Sequence, residues 1–259
     1  MQSQFVMRYR LLLETAAIVV VVISAKLLVE RFSLEFIELS ALFTSVIAGG
    51  IFILSIILSG TIADYKESEK LPTEIASSIE NIYQEGLYVK QTKKDFNLTK
   101  LRDNLGDVAN SFKADLGSSN SRKGLAALGA ISASFQEMED LGVPPNYIVR
   151  LKQEQSIIRK SMLRIYHIQR INFLPSAQIL TQTIVLLILL LLVFTKIEPF
   201  LNGIVMVAFV SYLFIYLLRI LRVIDKPFRV DEYTMDDVSL FLLREASERL
   251  KPETKAREV

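Results

Sequence analysis

LSALFTSVIAGGIFILSIILSGTIADYKESEKLPTEIASSIENIY, residues Leu39 to Tyr83, decides the fold. Its first 25 residues, Leu39 to Ala63, carry no charge. A helix of about 20 apolar residues spans a bilayer core. The polar half, from Asp64 onward, keeps Ile75, Ile79, Ile82 and Tyr83 at helical spacing. No turn cluster separates the halves. Pro72 removes one backbone donor and is expected to kink the helix rather than end it. One helix should therefore cross the membrane and continue into water.

Working outward, Ile171 to Thr195 and Pro199 to Leu218 are also free of charge, which gives two more spans. The first apolar block is shorter. Thr15 to Ala25 lies between Glu14 and Lys26, and apolar residues continue to Val29. It reads as a span over Leu11 to Phe32, with Lys26 snorkelling to the headgroups. The rival reading, a cleaved signal peptide, lacks a small-x-small site followed by a polar start. The division is then 1–63 for the first two spans (about 11–32 and 39–63), 64–170 for a helical insert, 171–222 for the third and fourth spans, and 223–259 for a tail.

Composition agrees with a chain shared between lipid and water. Of 259 residues, 51% are hydrophobic, yet 22% are charged, and mean hydropathy is +0.35. Net charge is only +2, so nothing marks a nucleic-acid binder. Flanking charge sets orientation. Arg8 and Arg10 precede the first span, while Arg219, Arg222, Lys226 and Arg229 follow the fourth. Both termini and the insert are expected in the cytoplasm, in a multi-pass protein of the inner (plasma) membrane.

The insert reads as helical throughout. Helices are expected over Asn97 to Leu116 and Arg122 to Leu141, separated by a Gly117 to Ser121 loop. After the Gly142 to Pro145 stop, a long amphipathic helix begins at Asn146. Its apolar seam is Ile148, Leu151, Ile158, Met162 and Ile165, suited to packing on neighbouring helices or subunits. The fold class is all-α, four membrane helices in a 2+2 arrangement, with no β-pattern in competition.

Chemistry-bearing residues are few. There is no cysteine, which removes thiol nucleophiles and Cys-ligated metals. His167 is the single histidine and reads as a packing or surface residue. Glu67 and Glu69 face different sides of a helix, so an ion-pair cluster is a better reading than a paired-carboxylate site. No phosphate loop, HExxH or GxSxG occurs. Neither a catalytic residue, a metal site nor a cofactor is expected, and the chain is not read as an enzyme.

The second span carries Ser45, Ala48, Phe52, Ser55 and Ser59 in one stripe of mostly small or polar residues. Such a stripe lets membrane helices pack closely. It can equally line a wet path, with a bulky residue as the constriction. Spacing leaves both readings open.

The layout of two spans, helical insert, two spans and acidic tail resembles the bestrophin channels. Ser59 to Pro72, SGTIADYKESEKLP, is similar to the stretch where the bestrophin pore helix leaves the membrane. Ile224 to Glu245, IDKPFRVDEYTMDDVSLFLLRE, is similar to the bestrophin pattern of Pro-Phe, a short acidic run and a helix start. The matching residues are Asp225, Pro227, Phe228, Asp236, Asp237 and Leu240. The resemblance is to divergent bacterial bestrophin-like proteins. It implies a homopentamer around one pore that conducts inorganic ions, chloride among them. Ions would pass along the second span into a vestibule built from the insert.

Aligned on Lys70 to Pro72, the family's three neck rings fall at Ile47, Ile51 and Ser55, beside the stripe residues Phe52 and Ser59. The Gly49-Gly50 pair would let the helix bend or approach a neighbour closely. The family's calcium clasp would fall at Asp231, Glu232, Asp236 and Asp237. No glycine supplies the sharp turn of a calcium loop there, and Asp236 and Asp237 suit capping of a helix N-terminus better. The same 2+2 layout also resembles stator subunits of flagellar motors, which would need a partner protein. A non-conducting membrane scaffold is the third reading. A fluorescent reporter fused at Val259 should report the cytoplasm, and fluorescence confined to periplasmic reporters would overturn the orientation.

Overall fold

The computed structural model describes residues 4–116, 122–170, 175–229 and 234–251. The helices are α1 (Gln4–Arg31), α2 (Ala41–Thr92), α3 (Leu98–Leu116), α4 (Arg122–Asp140), α5 (Pro145–Arg170), α6 (Pro175–Phe194), α7 (Phe200–Asp225) and α8 (Phe241–Arg249). Two short strands, β1 (Ile37–Glu38) and β2 (Thr195–Lys196), lie outside the helices. Helices α1, α2, α6 and α7 are long and apolar enough to cross a membrane. The chain is an all-α integral membrane protein. It divides into two compact units. The first takes residues up to Tyr65, Asn172–Pro227 and Tyr233–Asp237. The second takes Lys66–Ile171, Phe228–Glu232 and the chain from Val238.

In the membrane unit, Ser40 begins α2. Its hydroxyl accepts the Phe43 N–H at 3.2 Å, which satisfies one of the first donors of the helix. The core joins Phe43 and Leu54 of α2 to Val185, Ile188 and Leu192 of α6 and to Val207 and Phe214 of α7. Helix α1 packs along α7 and α6. Gly50 makes the α2–α6 approach possible. A Cβ there would stand 2.5 Å from Ile188 Cδ1. At Gly49 a Cβ would meet nothing, so of the glycine pair Gly50 alone serves close packing within the chain.

Two expectations are corrected here. Lys26 does not snorkel. It is 2% exposed, and its ammonium donates to the Glu35 carboxylate and, at 2.6 Å, to the Thr195 carbonyl. The link after α1 folds back far enough to bring Glu35 onto it, so the charge is met inside the protein. Extended pairing also occurs: β1 and β2 run parallel, with Ile37 opposite Thr195 and Glu38 opposite Lys196. Two residues per strand are too few to leave a periodic signal. The Phe36 and Phe194 rings pack 5.3 Å apart beside them.

In the second unit, α2 runs through Pro72 without ending. Ile75, Ile79 and Ile82 are all buried there. Asn97 caps α3, accepting the Lys100 N–H at 3.0 Å. Helix α4 stops at Gly142, whose φ of 74° only glycine adopts freely. The Val143 N–H reaches back to the Met138 carbonyl at 3.0 Å and the Gly142 N–H to that of Glu139 at 2.9 Å. This is a Schellman ending. Pro145 opens α5 at the position where its missing N–H costs nothing.

The seam residues Ile148, Leu151, Ile158, Met162 and Ile165 are buried within this unit, so they pack on helices of their own chain. Helix α5 is also tied to α2 by polar contacts. Ser161 donates to Glu74 at 2.7 Å, and Arg164 grips Glu67 through two nitrogens at 3.2 and 3.0 Å. Asp115 joins α3, α4 and α5. Its carboxylate accepts the Gly124 N–H at 2.7 Å and the Tyr166 hydroxyl at 3.0 Å. Burial, and then this donation to Asp115, raise the Tyr166 phenol far above its ordinary pKa, so it stays a donor. The Gly117 to Ser121 loop lies outside the described residues.

Removing one partner of a buried ion pair costs about 3 kcal/mol, because the other charge is stranded. Lys26→Met should therefore lower the thermal midpoint in detergent by roughly 6–12 °C. Combining it with Glu35→Leu should restore most of the loss. A single variant as stable as the parent would show that the pair is not closed in the folded protein.

Candidate pore face

Helix α2 presents two faces within the membrane. Phe43, Gly50, Leu54 and Thr61, spaced by seven, four and seven, are buried against the protein. Ser45, Ala48, Phe52, Ser55, Ser59 and Ile62 follow steps of three and four on the other side, and all are exposed. Phe52 is 66% exposed in the middle of that face. Its members from Ser45 to Ser59 are the stripe read from the sequence, and Ile62 extends it.

The three ring positions do not share one face. Ser55 is exposed with the stripe. Ile51 is 37% exposed at the flank, one residue beyond Gly50 and three before Leu54. Ile47 lies four residues after Phe43 and three before Gly50. It therefore turns toward its own core and packs against it, partly buried. The stripe and the rings overlap at Ser55, and the geometry of the single chain favours the stripe as the outward face.

Two of the three serine hydroxyls on this face are already satisfied. Ser45 donates to the Ala41 carbonyl and Ser55 to the Ile51 carbonyl, each at 2.8 Å and four residues back. Such internal bonds make a serine tolerable against lipid, a neighbouring helix or water. Polarity alone thus does not separate close packing from a wet path. The bulk of Phe52 and Ile51 would set the bore if the face lines one.

Several charges near the spans are engaged. Glu14 accepts from Arg10 at 3.1 Å and from Arg219 at 2.9 Å, which ties α1 to the last turns of α7. Asp225 at the end of α7 is 8% exposed and accepts from Gln178 at 2.5 Å. His167 is exposed on α5, and Glu69 is exposed on α2. Lys26 and Glu14 carry more structural weight than the sequence reading gave them. Their signal was present, since they alone interrupt or bound the first apolar block.

The acidic tail departs from expectation. Helix α8 begins at Phe241, with Leu240 before it and no side-chain cap. Asp236 and Asp237 therefore do not cap it. Asp237 instead closes a turn, its carboxylate accepting the Thr234 N–H at 2.8 Å. Three intervening residues separate it from the helix start, too many for an N-cap. Asp231 and Glu232 lie outside the described residues. Among the described residues, no group of three His, Asp or Glu side chains converges as metal ligands.

No protein-family model matches the sequence, and no curated protein matches it. Solved structures do. A bacterial bestrophin homologue from Klebsiella pneumoniae aligns at a TM-score of 0.74 and 13% identity, over 93% of this chain and 96% of that one. Two single-substitution forms of the Klebsiella pneumoniae protein align at 0.73 and 0.74, each at 13% identity, covering 93% and 95% of this chain and 97% of theirs. Over nearly its whole length the chain has the fold of these bacterial bestrophin homologues.

Proposed function

We propose that the protein is an oligomeric ion channel of bestrophin type, conducting inorganic ions passively along the outward face of α2. The observation that carries this reading is that face itself. In a chain with the bestrophin fold, the second span turns Ser45, Ala48, Phe52, Ser55 and Ser59 away from its own core. An ion crossing a dry constriction sheds water without replacement ligands, so bulky apolar side chains oppose it. Phe52 and Ile51 would form the neck, with Ser55 and Ser59 on the wetter side. Ile47 would contribute only at the edge of the neck, since it packs inward.

Both termini and the helical insert would lie on the cytoplasmic side of an inner membrane, as the flanking arginines favour. Assembly would be a homopentamer within the lipid bilayer. The reaction has no covalent step, so the protein would act as a channel rather than an enzyme.

Reconstituted protein tests the reading directly. Ile51→Ala and Phe52→Ala should raise ion flux through vesicles by widening the neck. Ile51→Asp should raise it further and shift preference toward cations. Ile47→Ala should mainly lower stability, because it opens a gap in the protein's own core. The parent chain also lacks cysteine, so Phe52→Cys and Leu54→Cys give clean single labels. A charged thiol reagent should block flux through the first and not the second. Intact oligomers whose flux ignores both Ile51→Ala and Phe52→Ala would place the path elsewhere.

A further inference from the structure

Helix α5 meets the rest of its unit on two sides. Toward α2 it presents Arg150, Ser161 and Arg164, which bond to Glu85, Glu74 and Glu67. Toward α4 it presents Gln155, whose amide donates to the Leu128 carbonyl at 2.7 Å. The third side faces outward. Val149, Ile157 and Leu163 stand there at 55%, 40% and 48% exposure. Lys152, Arg159 and Lys160 stand among them, also exposed. Among the described residues, none of these three cationic side chains has a hydrogen bond or an ion pair. Bulky apolar groups left outside on a polar helix mark an interaction surface, and cations without a carboxylate in their own chain call for an acidic partner.

The outer face of α4 has the complementary character. Between Lys123 and Gln136 every exposed residue of α4 is alanine, glycine or serine. Ala126, Gly129, Ala130 and Ala133 follow steps of three, one and three, which puts them on one side of the helix. A Cβ at Gly129 would meet nothing within 4 Å, so no contact inside the chain asks for a weak helix former there. The same helix ends in Glu139 and Asp140, both exposed, and neither side chain has a partner among the described residues. Helix axes approach most closely where the side chains between them are small, so this low face admits a helix carrying bulky ones. A lipid surface would answer the cations of α5 and would leave the low acidic face of α4 without a use. A second copy of the chain answers both.

We propose that the outer face of α5 in one copy packs on the outer face of α4 in the next. Val149, Ile157 and Leu163 lie over Ala126, Gly129, Ala130 and Ala133, and the cations of α5 meet Glu139 and Asp140. Two different patches are joined, so the contact is head-to-tail, the kind that closes into a ring. This rests on the oligomeric reading above and names the surfaces that would carry it.

Crosslinking between two differently tagged chains tests it, since the parent has no cysteine. One chain carries Val149→Cys or Leu163→Cys, the other Ala126→Cys or Ala133→Cys, so either direction of packing is sampled. The two are co-expressed and treated in membranes with a short bismaleimide. Products joining α5 to α4 should exceed those joining like to like. Arg159→Glu with Lys160→Glu in the first chain should cut the α5–α4 product severalfold, because like charges then face each other. Glu139→Lys with Asp140→Lys in the second chain should restore it. Rescue from the other chain cannot come from repair of the first chain's fold. An oligomer that yields no α5–α4 product, mainly like-to-like product, or a yield indifferent to the charge reversal would overturn this interface and leave the oligomeric reading standing. A parent that is a monodisperse monomer by light scattering would overturn both.

Discussion

Helix α2 satisfies two solvents with one backbone. In hydrocarbon every N–H and C=O must be paired within the segment, so the uncharged run from Leu39 has no stable alternative to a helix. Beyond Ala63 water could satisfy the backbone, and the helix persists for another reason. Ile75, Ile79 and Ile82 bury one side of it, and its own Glu67 and Glu74 accept hydrogen bonds from Arg164 and Ser161 of α5. Pro72 removes a single donor from this ladder, which that packing tolerates. The remaining elements are arranged by what α2 leaves them. Gly50 lets α6 come close, while α7 adds Val207 and Phe214 to the same core.

Three buried or half-buried charges of the membrane unit are met by partners. Lys26 meets Glu35 and the Thr195 carbonyl, Glu14 meets Arg10 and Arg219, and Asp225 meets Gln178. Each pair joins an apolar helix to something distant in sequence or to its own next turn. The energetic reason is common to all three. A buried or half-buried charge costs several kcal/mol unless a partner of good geometry replaces its water. The outward face of α2 follows the same economy with neutral groups, since Ser45 and Ser55 bond to their own helix. That face can accept lipid, protein or water at little cost.

The helices and their order were legible in the sequence, because length, apolarity and a 3.6-residue period are properties of single segments. The long run through Ala63 and Asp64, the Gly142 stop and the four spans all came from such local signals. The flank residues were not. Lys26 read as a snorkelling charge, because its partner Glu35 is reached only when the link after α1 folds back. Asp236 and Asp237 read as caps because acidic residues favour helix starts, but Asp237 is consumed in a turn with Thr234. The β1–β2 pair was invisible, since its two halves stand more than 150 residues apart and are two residues long.

The sequence by itself determined which segments are helical, which of them can cross a bilayer, and that one stripe of α2 is set apart by small or polar residues. Only the tertiary structure decided which way that stripe points. Periodicity fixes the angles between residues around a helix but not the rotation of the helix against its neighbours. Here the rotation is set where Gly50 admits Ile188 and where Phe43 and Leu54 fill the core with Phe214. That contact turns Ile47 inward, leaves Ile51 at the flank and puts Phe52 outward. Rotation is a property of packing between segments, and packing is what a single line of residues does not contain.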